Sequence, residues 1–347
     1  MKLAVNLALS LGMLALCVWL VWPDAGTRDD LDHAFRALSL AHLAPYLAAY
    51  FGLIVVMHAC RALRWNNLLA PLGVHVPTWP LLAISSVGFM AILALPARLG
   101  EFVRPGLLRA RGGVTASAAL GTVAVERIVD GLLVSVIVFG ACFALRGPDA
   151  PDWMMPTAYG ALAVFAVALA FLVGAMRRPA ATVRFALAIS LLPRISPRAA
   201  KIVEAKLLEL IRGFDVLKDR RNLGAFLIWS AVYWAANGLG LWVLARGFDL
   251  PLSPIGALAT MGIVAVGITL PNSPALIGQF VWFMLLGLSL YIPGAADKHT
   301  DAYATAYAFA TVHYGLQVAW YVAMGAIGLA TPWVSLRDLR AARKTGD

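Results

Sequence analysis

Long apolar runs separated by short charged segments carry the chain from residue 3 to residue 330. Six of them, at 3–22, 43–63, 116–145, 157–176, 223–245 and 302–330, reach the roughly 20 residues that a helix needs to cross a hydrocarbon core. The period-two alternation of membrane β-barrel strands is absent. Two other apolar stretches are interrupted. The run at 78–95 stops at Pro96 and Arg98 before a charged limb to residue 111, and the run at 253–270 stops at Pro271 and Pro274 before a limb at 275–291. Proline removes a backbone donor and clashes with the preceding turn, so each reads as a broken helical hairpin. The expected fold class is all-α: a polytopic transmembrane helix bundle with about six full spans and two broken or re-entrant hairpins, forming a single domain over 1–347.

The order span, broken pair, long span occurs at 43–145 and again at 223–330, entering from the opposite face. That is the pattern of an inverted repeat, which transporters use to place a site near the midplane where broken helices expose backbone groups.

Composition agrees, with 61% hydrophobic and 13% charged residues over 347 positions, far more apolar than a soluble domain. The net charge of +10 comes from residues flanking the apolar runs, which suits a membrane surface better than nucleic acid. Residues 177–221 hold eleven Lys or Arg against four acids and read as a cytoplasmic basic amphipathic segment, and 332–347 reads as a basic tail. If 78–111 only dips into the membrane, 21 basic residues fall inside and five outside, with both termini cytoplasmic. A full crossing there would put the basic middle segment outside, against the positive-inside rule. Arg61, Arg64 and Trp65 read as an interfacial anchor, with His58 beside them. The first apolar run exceeds a signal-peptide core and is expected to stay as a helix. Cys17, Cys60 and Cys142 have no paired spacing and read as packing residues.

Charge inside apolar sequence marks the candidate chemistry, because a charge at bilayer depth costs about 2.5–3.5 kcal/mol on insertion scales and is kept for a reason. Arg98, Glu101 and Arg104 follow the first break, and Glu126, Arg127 and Asp130 enter the long run after it. Setting Arg98 and Arg104 against Glu101, Glu126 and Asp130 leaves arginine donors that suit a phosphate. The competing reading is a cluster that only locks hairpin to helix. At the second break Asn272, Ser273 and Gln279 offer neutral polar groups, or merely mark a kink. His313, with Tyr307 and Gln317, is a candidate substrate contact or proton relay, or else an interhelical bond. There is no P-loop, dinucleotide turn, zinc spacing or serine elbow. No cofactor, metal or catalytic residue is expected.

At Arg61 to Trp65, Leu95 to Arg104, Glu126 to Asp130 and Ser273 to Phe280 the chain resembles the transmembrane region of the lysylphosphatidylglycerol synthases, over nearly its whole length. It differs from the common pattern at Ile92, Leu93 and Val281. The resemblance implies a bacterial inner-membrane protein handling polar or prenyl-type lipids, with Arg98, Glu101, Arg104, Glu126, Arg127, Asp130, Ser273, Pro274 and Gly278 as the matching residues. The synthases' soluble aminoacyl-transfer domain has no counterpart here, so lipid aminoacylation is not expected. The leading expectation is a flippase for an anionic or prenyl-type phospholipid. The alternatives are a transferase or phosphatase acting on a polyprenyl-phosphate lipid, and a structural partner of a lipid-modifying enzyme, or a homo-oligomer.

Overall fold

Side-chain oxygens at helix starts set the frame, since they accept the amide protons that a first turn leaves without partners. The computed structural model describes residues 12, 15–21, 29, 31–33, 35–36, 38–95, 100–110, 113–144, 154–190, 193, 196–268 and 273–334. Its main helices, in chain order, are α1 (Leu40–Leu63), α2 (Trp65–Leu69), α3 (Thr78–Ala94), α4 (Val103–Ala110), α5 (Ala116–Ala144) and α6 (Met154–Arg177). They continue as α7 (Pro179–Ser190), α8 (Pro197–Arg212), α9 (Arg220–Gly247), α10 (Pro254–Gly267), α11 (Gln279–Ser289) and α12 (Asp301–Ala330). No strand occurs among the described residues. Ser39 caps α1, Ser196 caps α8, Asp219 caps α9, Ser253 caps α10 and Thr300 caps α12, each accepting a first-turn amide.

The helices pair in a regular way. α1 lies along α9, α3 along α12, and α5 between α6 and α10, while α10 and α11 form a hairpin that closes onto α12. Two apolar cores result. One gathers α1, α9, α10, α11 and α12 with Val134 and Val138 of α5; the other gathers α2 to α8 with Phe226 of α9, and Leu133 of α5 touches both. Outside, the pattern of a soluble protein is reversed. Val164, Val167 and Phe171 on α6, and Ile228 and Val232 on α9, are exposed, whereas Arg64, Arg104, Glu126 and Asp130 are buried. Contiguous exposed apolar surface of this kind needs an apolar phase to cover it.

Two helices, Leu40–Leu72 and Arg220–Gly247, are long and apolar enough to cross a membrane by length and composition alone. The helix over Leu162–Arg177 bends by 113° into Pro179–Ser190, and the two would make a third if they form one span. α5 and α12 are 29 and 30 residues long but carry the polar groups described below. The first predicted run lies mostly outside the described residues, as do Pro96, Arg98, Pro271 and Asn272.

Both predicted breaks interrupt helix. After the first, Gly100 sits so close to the end of α3 that a Cβ on it would lie 2.2 Å from the Ala91 carbonyl carbon and the Ile92 nitrogen. The chain therefore folds back onto α3 before α4 begins. At the second, Ala275 and Leu276 adopt left-handed backbone, with φ of 54° and 64°. Within 177–221, α8 docks onto α5 where Gly121 and Gly213 let the backbones meet, and α7 exposes Phe185 and Ile189.

Candidate functional site

Thr122, Glu126 and Asp130 recur every four residues on α5 and so form one stripe along it. The corner between α1 and α2 plugs into that stripe. Trp65 donates its ring N–H to Thr122 Oγ1 at 2.9 Å, and Arg64 reaches both acids. Its Nη1 donates to Asp130 Oδ1 at 2.7 Å and to Ser230 at 2.9 Å, and its Nη2 donates to Asp130 Oδ2 at 2.6 Å and to Glu126 Oε1 at 3.0 Å. The other oxygen of Glu126 accepts from Arg104 Nη1 at 3.1 Å. Glu126 thus bridges two arginines, and all three side chains are at most 1% exposed. Trp234 completes the cluster by donating to Asp130 at 3.3 Å.

Arg104 enters from the limb after the first break because Gly88 on α3 leaves room for its stem: a Cβ on Gly88 would lie 2.2 Å from Arg104 Cγ. Its guanidinium lies 4.3 Å from the Trp65 ring centroid and 5.1 Å from that of Phe89. Phe89 also carries Arg61, whose guanidinium carbon is 4.1 Å from the ring centroid and whose Nη1 donates to the Tyr321 hydroxyl at 3.2 Å. Among the described residues no carboxylate lies within ion-pair distance of Arg61. Arg127 turns to Glu101 instead, at 3.7 Å, longer than a hydrogen bond.

Part of this network borders a cavity of about 170 Å³, whereas Arg64, Arg104 and Glu126 lie behind its wall. Arg61, Glu101, Arg127 and Asp130 form its charged part; Met57, Phe89, Val134, Leu241, Met261 and Phe280 are among its apolar walls; and Asn237, His313, Gln317 and Tyr321 add uncharged polar groups. Among the described residues around it, Arg61, Arg64, Arg104 and Arg127 face three carboxylates, Glu101, Glu126 and Asp130, one positive charge more than negative.

The structure brings Glu101, Arg104, Glu126, Arg127 and Asp130 together, as the spacing suggests, but corrects the pairing. Arg64, expected at the interface, is the buried partner of Asp130, and Arg98 lies outside the described residues. His58, also expected at the interface, is buried and shares a 2.8 Å hydrogen bond with Ser86. Ser273 and Gln279, read as candidate substrate contacts or as marks of a kink, bond within the second break. Gln279 accepts from the Ser273 amide at 2.9 Å and donates to the Gly267 carbonyl at 3.0 Å, while the Ser273 hydroxyl donates to the Ile277 carbonyl at 2.9 Å. Asn272 lies outside the described residues. His313 lines the cavity and meets Gln317 of its own helix at 3.1 Å, and no bond to Tyr307 joins it. Arg61 is the residue that the sequence reading underrated. Its signal was a basic residue one turn before Arg64, on the same helix face. Among the described residues no group of three or more His, Cys, Asp or Glu could hold a metal ion.

An apolar exterior, two interrupted helix pairs and a charged interior chamber define an integral membrane protein of helical type. The family described as Lysylphosphatidylglycerol synthase TM region matches residues 3–320, and the chain belongs to it. That family marks a membrane protein concerned with lipids. No curated protein and no solved structure matches the chain.

Proposed function

We propose that this protein moves an anionic, phosphate-bearing lipid, of phospholipid or prenyl type, between the leaflets of the bacterial cytoplasmic membrane. The head group binds in the central cavity beside Arg61, and the hydrocarbon chains stay in the bilayer. The observation that carries this reading is Arg61 itself: a guanidinium on the cavity wall, held by Phe89 and Tyr321, with no carboxylate partner among the described residues. Arginine's planar fork makes paired, charge-assisted bonds to phosphate oxygens, so one monoanion neutralises the excess charge. On this reading the chain is a transporter and not an enzyme, and Glu126 and Asp130 are the fixed counter-charges of Arg64 and Arg104.

Helix pairing supports an inverted repeat of 43–145 and 223–330. Exchanging α1, α3, α4 and α5 for α9, α10, α11 and α12 turns each major contact into another observed one: α3 on α12 becomes α10 on α5, and α3 on α4 becomes α10 on α11. The basic middle segment and tail support cytoplasmic termini.

In vesicles holding a labelled anionic phospholipid, the reconstituted chain is expected to exchange label between leaflets, and Arg61→Ala and Arg98→Ala are expected to lose that exchange. Unchanged exchange by folded Arg61→Ala rejects the assignment.

A further inference from the structure

Tyr321, Gln317 and His313 follow one another at four-residue intervals on α12, and all three line the cavity. Four residues advance a helix by about 6 Å, so the series covers about 12 Å along the axis. The neighbouring α1 fixes its direction. Arg61 meets Tyr321 at one level, while Tyr50 meets His313 with ring centroids 5.3 Å apart at another, so the two helices face one another through side chains and run in the same sense. The polar groups therefore begin at the Arg61 site and lead toward the N-terminal end of α12. Asn237 of α9 lines the same chamber, one turn from Tyr233.

Polar side chains within a membrane bundle usually join one helix to another. The bond between Gln317 and His313 lies within α12, while Gln317 also faces the Tyr50 hydroxyl of α1, and among the described residues the Nδ1 of His313, which is 4% exposed, has no hydrogen-bond partner. A buried polar atom without a partner costs about 1–3 kcal/mol, so a cavity lined this way favours a guest that offers hydrogen bonds.

We infer that Tyr321, Gln317 and His313 form a rail of uncharged hydrogen-bonding groups along which the lipid's phosphate-bearing head group leaves Arg61 and travels toward the opposite leaflet. The inference rests on the reading of the chain as a lipid transporter. Conduction needs sites that hold the guest weakly and in series, because a single strong site would trap it. Arg61 supplies the strong site, and the uncharged groups supply the weaker ones beyond it.

The test uses the full chain in vesicles containing acyl-labelled phosphatidylserine, with leaflet exchange followed by an impermeant quencher. Lipid retained by the purified protein is measured in parallel by mass spectrometry. Gln317→Met and His313→Phe are expected to retain lipid but to exchange it about tenfold more slowly, the loss of one hydrogen bond to a charged group. Gln317→Asn, which keeps the amide, is expected to recover part of the rate. Arg61→Ala is expected to lose retention and exchange together. Normal exchange by folded Gln317→Met and His313→Phe, with Arg61→Ala inactive, overturns the rail and leaves the transporter standing. Loss of retained lipid in Gln317→Met also overturns the rail, by placing Gln317 in the holding site. Exchange by the unaltered chain no faster than in protein-free vesicles overturns both.

Discussion

Arg64 and Asp130 meet through two parallel bonds, Nη1 to Oδ1 at 2.7 Å and Nη2 to Oδ2 at 2.6 Å, with side-chain exposures of 0% and 9%. Fork-on-carboxylate geometry is the strongest common pairing of protein side chains. Here it ties the corner of α1 and α2 to the middle of α5, and Glu126 extends the tie to Arg104. This fixed base positions Arg61, one turn earlier on α1, at the cavity.

Removing one side of a buried pair strands the other charge, at a typical cost of about 3–5 kcal/mol. Arg64→Leu and Asp130→Leu are each expected to lower the thermal unfolding temperature of the detergent-purified protein strongly. The double variant is expected to lose much less than the two losses combined, because neither charge is then stranded. Additive losses would show that the two side chains are not energetically coupled.

Gly88 and Gly100 make the first hairpin possible by leaving space for Arg104 Cγ and for the Ala91 to Ile92 backbone. Overpacking of this kind costs about 1–3 kcal/mol or more. Gly88→Ala pushes the Arg104 stem away from Glu126 and strands that carboxylate, so it should lower the thermal unfolding temperature of the purified protein. Gly100→Ala meets backbone that cannot yield, so it should lower the yield of folded protein. Equal, mild effects from both would contradict this account of the break.

At the second break Gln279 satisfies two buried backbone groups. Gln279→Leu leaves the Ser273 amide and the Gly267 carbonyl unmatched, at about 1–3 kcal/mol each. Gln279→Glu keeps the acceptor for Ser273 and loses the donor to Gly267. Leucine is expected to reduce thermal stability, glutamate is expected to do so less, and a leucine variant as stable as the parent would refute the knitting role.

Asp219 opens α9 by accepting from the amides of Arg221 and Asn222 and from the Asn222 side chain. The Asn222 side-chain bond, followed by its amide bond, holds the carboxyl below the usual carboxylate range. A lowered value favours the folded state above the ordinary carboxylate pKa of about 3.9, and the contribution is lost as pH falls through the lower, folded value. Asp219→Asn is expected to flatten the acid limb of the stability profile in that window and to leave neutral pH less affected, since asparagine still caps. An acid limb identical to the parent's would remove Asp219 from that role.

Much of the site was legible in the chain itself. Charges inside apolar sequence are rare, so Glu126 and Asp130, one turn apart, announced a buried stripe, and Arg104 does pair with Glu126. Prolines announced both interruptions. Arg64 was not legible because a basic residue beside a tryptophan at the end of an apolar run has the same appearance at an interface as at a buried corner. The roles of Ser273 and Gln279 were hidden for another reason. Their bonds go to backbone groups freed by the break, and which side chain reaches them depends on the left-handed turn at Ala275 and Leu276. His58 likewise gave no sign of Ser86, 28 residues away on another helix.

The most direct test is an experimental density map of the protein in bilayer discs rich in anionic lipid. The account predicts a phosphate within hydrogen-bond distance of Arg61, with its hydrocarbon tails running out of the cavity between helices. Arg61 turned onto a protein carboxylate, in a cavity holding only side chains or water, would contradict it.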